Sequence, residues 1–101
     1  MTKRAIRINA KDNVATLVES AAPGDEVAVV TGQQREIVVA KEAIPFNFKI
    51  ALADIPKGEA ILKYGEVIGE ASVAIPMGTL VHRHNLVGRR GRGDLAAEDG
   101  R

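Results

Sequence analysis

A duplicated Ile-Pro-x-Gly motif is the feature that most constrains how this chain can fold. The motif begins at Ile55 and recurs at Ile75, 20 positions later, and such a repetition marks two copies of one structural unit. Proline has no amide hydrogen to continue a β-ladder, so each copy is expected to end a strand. The glycine that follows can adopt the positive φ of a type II turn. We therefore predict short strands separated by tight turns.

Composition sets the limits of this fold. The chain has 101 residues, the size of one domain with a modest core, and only 3% of them are aromatic. The core must therefore consist of Val, Ile, Leu and Ala. Cysteine is absent, which excludes disulfides and thiolate metal sites and fits a cytoplasmic location. No apolar run approaches the roughly 18 residues of a bilayer span, so no membrane contact is expected.

The amino-terminal half is predicted to contain a strand, a short helix and a hairpin. Residues 5–8 alternate between apolar and polar side chains, as strands do. Asp12 could cap a helix over residues 14–21, in which the apolar positions share one face; a strand is the competing interpretation. Two β-branched runs, residues 26–30 and 35–40, predict a hairpin with a four-residue connection, residues 31–34.

The carboxy-terminal half is predicted to consist of short strands followed by a tail. The strands are expected near residues 49–52, 60–62, 66–68, 71–74 and 80–82, with turn residues between them. From Gly88 onward, Gly and Arg predominate and little remains to bury. The domain is therefore assigned to residues 1–87, and residues 88–101 form a Gly/Arg-rich tail.

The two histidines, His82 and His84, are the first candidates for chemistry. If residues 81–85 are extended, both imidazoles project from the same side of the strand. Neutral imidazoles can bind a metal or carry protons near pH 7. Two ligands alone make an incomplete site, because catalytic zinc usually takes three from the protein. A pair of solvated polar residues at a strand end is the simpler alternative.

Three further side chains could contact an anionic ligand. Lys49 and Lys63 can hold a carboxylate, and the Tyr64 hydroxyl can bond to other hydroxyl groups. The alternative is a surface lysine at position 63 and a packing tyrosine at position 64. Arginines after residue 82 could form an anion-binding edge or an RNA contact. Nucleic acid is disfavoured, because single-strand binders need aromatic platforms and this chain has three aromatic residues.

Residues 48–86 resemble the SAF domain of the altronate and galactarate dehydratase family. The resemblance also extends to residues 12–15 and 24–27, so it covers most of the chain. It implies a mainly β fold, a β-clip of short hairpins. The matching segments within residues 48–86 are Lys49 to Leu52, Asp54-Ile55, Gly58-Glu59, Lys63-Tyr64-Gly65, Ile68-Gly69 and Val81-His82-Arg83-His84-Asn85.

This resemblance implies a function and a set of site residues. The expected protein is the small subunit of a two-component sugar-acid dehydratase, inactive alone, which completes the active site of a separate large catalytic subunit. A divalent metal, iron or manganese, would be held mainly by that subunit. His82 and His84 would be catalytic, and could also supply metal ligands. The residues expected to bind the sugar-acid substrate are Lys49, Lys63, Tyr64, Arg83 and Asn85.

Phe48 departs from the family pattern. The position before Lys49 usually carries a histidine in this family, and phenylalanine can neither coordinate a metal nor move a proton. Any role of that histidine is therefore not transferred to this chain. Two alternatives stay open: the small subunit of a sulfolactate-type sulfo-lyase, and a non-catalytic module that binds carbohydrate or a protein partner.

Overall fold

The computed structural model describes residues 2–88, and this part of the chain contains nine strands and no helix. The prediction of a mainly β fold is confirmed. The strands are β1 (Thr2–Ile6), β2 (Val14–Leu17), β3 (Glu26–Thr31), β4 (Gln34–Val39), β5 (Lys49–Ala51), β6 (Ala60–Lys63), β7 (Glu66–Ala71), β8 (Leu80–Val81) and β9 (Leu86–Val87).

The strands form two sheets of different size. Six of them make a sheet in the order β4-β3-β1-β2-β5-β8, and the other three make a sheet in the order β6-β7-β9. Within the larger sheet β1 and β3 run parallel, and every other neighbouring pair is antiparallel. The chain therefore adds each later strand at one edge or the other of this sheet, which leaves β1 and β2 in its middle.

The predicted short helix over residues 14–21 is wrong, because Val14–Leu17 is β2. This strand lies between β1 and β5 and is buried on both faces: Leu17 contributes to one core cluster and Val14 to the other. A strand covered on both sides has a nearly continuous apolar sequence, and such a sequence fits the helical period as well as the strand period.

The predicted hairpin of residues 26–40 is confirmed with a tighter turn. Strands β3 and β4 are joined by two residues, Gly32 and Gln33, and Gly32 has a φ of 59°. Positive φ at this place matches the right-handed twist of the flanking strands, which is why glycine is favoured there. In the second half, β7 is one continuous strand to Ala71, and β9 was not predicted.

Four eight-residue units repeat one backbone pattern: residues 17–24, 40–47, 51–58 and 71–78. The last residue of each unit has a positive φ: 91° at Gly24, 73° at Asn47, and 87° at both Gly58 and Gly78. The residue that follows each unit donates its backbone amide to the carbonyl of the unit's sixth residue, at 3.0 to 3.3 Å. The duplicated motif in the sequence revealed only the last two of these units.

The units associate as two pairs, each with a local twofold arrangement. In the first turn pair (residues 17–24 and 40–47), Ala21 and Ile44 exchange two backbone hydrogen bonds of 2.9 Å. In the second turn pair (residues 51–58 and 71–78), Ile55 and Ile75 do the same at 2.8 Å. In both pairs, the amide of each positive-φ residue donates to the first carbonyl of the partner unit.

Each turn pair contributes to a separate core cluster. Ala21 and Ile44 belong to the first cluster, which packs on one face of the six-stranded sheet. Ile55 and Ile75 belong to the second, where the smaller sheet meets the opposite face through Val14, Ala51 and Val81. The fold thus comprises two cores that share the central strands β2 and β5.

Candidate functional site

The segment that carries both histidines is a turn, so the condition that residues 81–85 are extended is met only at Val81. Strand β8 ends at Val81, and the carbonyl of His82 accepts the amides of Asn85 at 3.1 Å and Leu86 at 2.9 Å. His82 is half-buried and His84 is exposed. Strand alternation therefore does not direct both imidazoles to one ligand, although the short turn keeps them near each other.

Asn85 holds this turn in place. Its side chain is buried, its Oδ1 accepts the His82 amide at 2.9 Å, and its Nδ2 donates to the Leu80 carbonyl at 2.8 Å. Its backbone carbonyl also accepts the amide of Ser72. Asn85 therefore positions His82, and its predicted contact with substrate stays a prediction.

Phe48 lies directly against His82. The ring centroids are 4.7 Å apart and the planes are inclined by 58°, a tilted aromatic contact. Phe48 also packs against the first core cluster. The residue that replaces the expected histidine thus provides an apolar support for the remaining imidazole.

Five groups that can carry positive charge are connected through Lys49 and His82, and we call them the cationic cluster: Lys49, Lys63, His82, Arg83 and His84. Partial burial, and after it the charge of Lys63, lowers the pKa of Lys49. Partial desolvation, followed by the charges of Lys49, Arg83 and His84, lowers the pKa of His82. An anion placed here would relieve this mutual repulsion. At neutral pH, His82 is a neutral imidazole that can accept a proton.

Lys63 and Tyr64 form the tip of the β6–β7 hairpin. Tyr64 and Gly65 have φ values of 60° and 75°, as both central residues of a type I′ turn require. The Lys63 Nζ lies 4.9 Å from the centroid of the Tyr64 ring, within the range of a cation–π contact. Tyr64 is an exposed aromatic residue with positive φ, which is unusual for a bulky side chain.

A buried carboxylate fixes this tip. Asp12 accepts backbone amides from Asn9 at 3.2 Å, Tyr64 at 2.9 Å and Gly65 at 2.7 Å. These bonds to a charged acceptor offset the cost of the strained Tyr64 backbone. The sequence pointed to Asp12 only as a helix cap, because a bond to residues more than 50 positions away leaves no local pattern.

Asn13 joins the two sheets next to Asp12. Its side-chain amide donates to the Ala60 carbonyl at 3.0 Å, and its Oδ1 accepts the Leu62 amide at 2.9 Å. The side chain thus occupies the place of a missing ladder partner for β6. Asp12 and Asn13 together determine where Lys63 and Tyr64 stand relative to the large sheet.

A groove of about 200 Å³ runs between this hairpin tip and the large sheet. The register places Ile6 opposite Thr16 and Thr16 opposite Lys49, so these three side chains form one row on one face. The groove therefore continues towards Lys49. It is lined by Ile6, Ile8, Thr16, Val18, Asn47, Lys63 and Tyr64.

The described residues by themselves do not assemble a metal centre. Within residues 2–88 there is no group of three or more His, Asp or Glu side chains that could hold an ion. His82 and His84 could supply two ligands at most. The same range contains no helix of the length and apolar character that a membrane span needs. The predicted tail, beyond Gly88, lies outside the described residues, and the cytoplasmic location stays a prediction.

Comparison with known proteins identifies the family. Residues 3–89 match the family model described as the altronate/galactarate dehydratase SAF domain. The chain belongs to this SAF-domain family. Over 80 residues the SAF domain is 40% identical to the altronate dehydratase of Escherichia coli, a match that covers 79% of this chain and 15% of that protein. It is also 37% identical over 82 residues to the galactarate dehydratase (L-threo-forming) of the same organism, covering 81% and 15%.

A third relative is much shorter. The SAF domain is 34% identical over 65 residues to the (2R)-sulfolactate sulfo-lyase subunit alpha of Paracoccus pantotrophus, which covers 63% of this chain and 97% of that subunit. The SAF domain therefore spans about 15% of the length of the two dehydratases and nearly all of the sulfo-lyase subunit.

Proposed function

We propose that this SAF domain is the small subunit of a two-component sugar-acid dehydratase of the altronate/galactarate type. In this role it presents the cationic cluster to a pocket formed mainly by a separate catalytic chain. The relatives support both parts of the proposal. Two are dehydratases in which the matching region is a small part of the protein, and a third is a lyase subunit of which the match covers nearly the whole length.

The observation that carries the proposal is the position of Lys49 between His82 and Lys63. Lys49 follows Phe48, whose ring contacts His82, and it lies opposite Thr16 of the groove that Lys63 also lines. Dehydration of a sugar acid removes the proton from the carbon beside the carboxylate and expels the hydroxyl of the next carbon as water. The resulting enol then becomes a 2-keto-3-deoxy acid. Lysine ammonium groups bind the carboxylate and stabilise the charge that develops when the proton leaves. The neutral imidazole of His82 is a proton acceptor suited to neutral pH.

The remaining residues of the site have supporting roles in this proposal. Arg83 and His84, exposed on the turn beside His82, face the incoming substrate or the catalytic chain. Tyr64 offers a ring face and a hydroxyl at the rim of the groove. A divalent metal, iron or manganese, would supply Lewis-acid assistance to the departing hydroxyl. Most of its ligands would come from the catalytic chain, with His82 and His84 as the possible contribution of this domain.

Kinetics of the assembled enzyme test this proposal. Lys49→Met in the complex should lower kcat/KM for galactarate or altronate by about 10- to 100-fold, the loss expected for a hydrogen bond to a charged group. His82→Ala should lower kcat with unchanged assembly. Lys57→Met, at an exposed lysine on a turn of the second turn pair, is the matched control and should retain activity. Full activity of the isolated chain, or wild-type rates with Lys49→Met, would refute the proposal.

A sulfolactate-type sulfo-lyase small subunit is the second candidate. The match to the sulfo-lyase subunit alpha covers 97% of that protein, so the matching region occurs there as nearly the whole of a separate subunit. The same cationic cluster would hold the carboxylate of sulfolactate. Turnover of sulfolactate but not of hexarates by the assembled complex would favour this candidate.

A further inference from the structure

The large sheet has two faces, and one of them is covered over only part of its width. Residues directly opposite each other in neighbouring strands share a face. The register therefore assigns Ile6, Thr16, Val30 and Lys49 to one face, together with Ile37, which pairs with Ala28. We call this the outer face. The opposite face carries Ala5, Leu17, Val27 and Val29 and packs in the first core cluster.

The smaller sheet covers only half of the outer face. Over β2, β5 and β8 it buries Val14, Ala51 and Val81 in the second core cluster. Over β4, β3 and β1 nothing in the described part of the chain takes its place. Large aliphatic side chains remain exposed there or along the groove, with exposed fractions of 37% for Ile6, 61% for Ile8, 38% for Val18, 45% for Ile37 and 50% for Val39.

This distribution indicates a protein partner. Isolated exposed apolar residues are ordinary, but a contiguous set on one side of a small domain marks an interaction surface. A sugar acid is polyhydroxylated and strongly hydrated, so aliphatic side chains offer it little. The row from Ile6 through Thr16 to Lys49 makes this surface continuous with the cationic cluster. A partner seated on it would therefore also reach the proposed active-site edge.

The charges around the outer face favour a partner other than a second copy of the chain. Arg4 and Arg35 stand on this face by their register, opposite Ala28 and Val30. Lys63 lines the groove, and Lys49 lies on the same face opposite Thr16. The same register adds Glu26, opposite Val39, and Glu19 lies 3.8 Å from Arg4 as an ion pair, so four cationic side chains stand against two acidic ones. Two such faces packed together would bring like charges into contact, which is unfavourable. Carboxylates at the rim of a different polypeptide would be attracted.

We propose that the uncovered half of the outer face is the docking surface for the catalytic chain, through a segment with aliphatic side chains flanked by Asp or Glu. This inference rests on the proposed function, because it assumes that such a chain exists. The docking surface defines where the catalytic chain binds and which residues contact it. The active site would then form at the junction, between the docked segment and the Lys49–Lys63 end of the groove.

Site-specific photo-crosslinking in the native host tests the docking surface. A photoreactive amino acid is placed at position 8 or 37 of the full chain, and at position 67 as a control. Val67 is an exposed aliphatic residue of β7, outside the large sheet, with a 50% exposed fraction close to the 45% of Ile37. Positions 8 and 37 should crosslink to a chain whose sequence carries a dehydratase-type catalytic region, and position 67 should not.

The outcomes separate the two proposals. If the catalytic chain co-purifies but crosslinks only through position 67, the docking surface is wrong and the proposed function stands. Crosslinks between two copies of this chain through positions 8 and 37 would also overturn the docking surface. If no catalytic chain co-purifies, the proposed function fails and this inference fails with it.

Substitution provides an independent measurement. Ile37→Asp should weaken association with the co-purified catalytic chain about tenfold or more, as loss of a central apolar contact does. Val67→Asp should leave that affinity unchanged. Both changes lie on exposed strand positions, so an unchanged circular dichroism spectrum shows that each variant folds. Equal affinities for Ile37→Asp and wild type would refute the docking surface.

Discussion

The two turn pairs share one backbone geometry but differ in the residues that build it. The second pair has isoleucine at both bridge positions and glycine at both positive-φ positions, whereas the first has Ala21 opposite Ile44 and Asn47 in place of one glycine. The reciprocal hydrogen bonds are nevertheless the same in both pairs. The backbone pattern therefore depends on a few requirements, positive φ above all, and these can be met by several residue types.

A comparison of Gly58 with Gly78 separates the energetic cost of a positive φ from the cost of steric overlap. Both have a φ of 87°, but a Cβ at Gly58 would meet nothing within 4 Å, whereas one at Gly78 would collide with the Val39 carbonyl. Gly58→Ala should cost about 1–2 kcal/mol for the left-handed conformation. Gly78→Ala should cost about 4 kcal/mol, because overpacking against backbone adds to that amount. Urea unfolding measures both, and equal values would mean that the collision is relieved cheaply.

Replacing Ile55 by alanine gives the second pair the bridge residues of the first. Ile55 is almost fully buried in the second core cluster. We expect Ile55→Ala to lower the free energy of unfolding by about 3 kcal/mol, through lost burial and the cavity that remains. Ser20→Ala, at an exposed position next to the Ala21 bridge, is the control and should change it by less than about 0.5 kcal/mol. A cost below 1 kcal/mol for Ile55→Ala would show that the second core collapses around alanine.

Asp12 links the larger sheet to the hairpin of the smaller sheet. Its replacement should lower the free energy of unfolding by less than Ile55→Ala does. Asp12→Asn keeps the size of the side chain but loses its charge and one acceptor oxygen. We expect a loss of about 2 kcal/mol, the range for hydrogen bonds to a charged group. Amide exchange should accelerate first at Tyr64 and Gly65, whose protons the carboxylate accepts. Unchanged protection of these two amides would contradict the assigned role.

Lys49 lies between the first turn pair, which ends at Asn47, and the second, which begins at Ala51. Because its pKa is lowered by partial burial and by Lys63, an NMR titration should find its midpoint below 10.5. Lys63→Met should move that midpoint part of the way back. Lys49 binds its proton more tightly in the unfolded chain than in the folded protein. Its contribution to the free energy of unfolding therefore increases as the pH rises from the lowered pKa to 10.5. An unchanged Lys49 titration midpoint in the Lys63→Met variant would show that Lys63 does not belong to the cationic cluster.

Asn47→Gly should have the smallest effect of the five. Asparagine tolerates the left-handed region better than most residues, and glycine gains little there while losing more entropy on folding. We expect a change of less than about 0.5 kcal/mol in either direction. Asn47→Val is the contrasting variant and should cost more, because a branched Cβ is disfavoured at positive φ. Equal stability of the two variants would show that φ at position 47 is not a constraint.

The sequence allowed prediction of those parts of the fold that depend on neighbouring residues. The hairpin of residues 26–39 and the second turn pair follow from β-branched runs and from Pro and Gly at fixed offsets. The first turn pair was missed because Ala21 and Asn47 replace the diagnostic residues. Strand β2 was taken for a helix, because burial on both faces removes the alternation that marks a strand.

The candidate site was predictable in composition but not in arrangement. Lys49, Lys63 and His82 were selected by residue type and by the family resemblance, and in the structure Lys63 influences Lys49 and Lys49 influences His82. The turn at residues 82–85 and the contact between Phe48 and His82 were not foreseen. The turn is held by bonds within residues 80–86, for which Asn85 is the local signal that was not used. The contact between Phe48 and His82 joins residues distant in sequence, so no local pattern indicates it.

The hydrogen bonds that Asp12 and Asn13 make to the β6–β7 hairpin affect how the protein folds during synthesis. Their partners lie 47 to 53 positions further along the chain, and loops of that length close slowly. All residues up to Gly65 must therefore have emerged from the ribosome before these bonds can form. Until then Asp12 lacks the amides of Tyr64 and Gly65, and the nearby Asn9 amide is the partner available to its carboxylate.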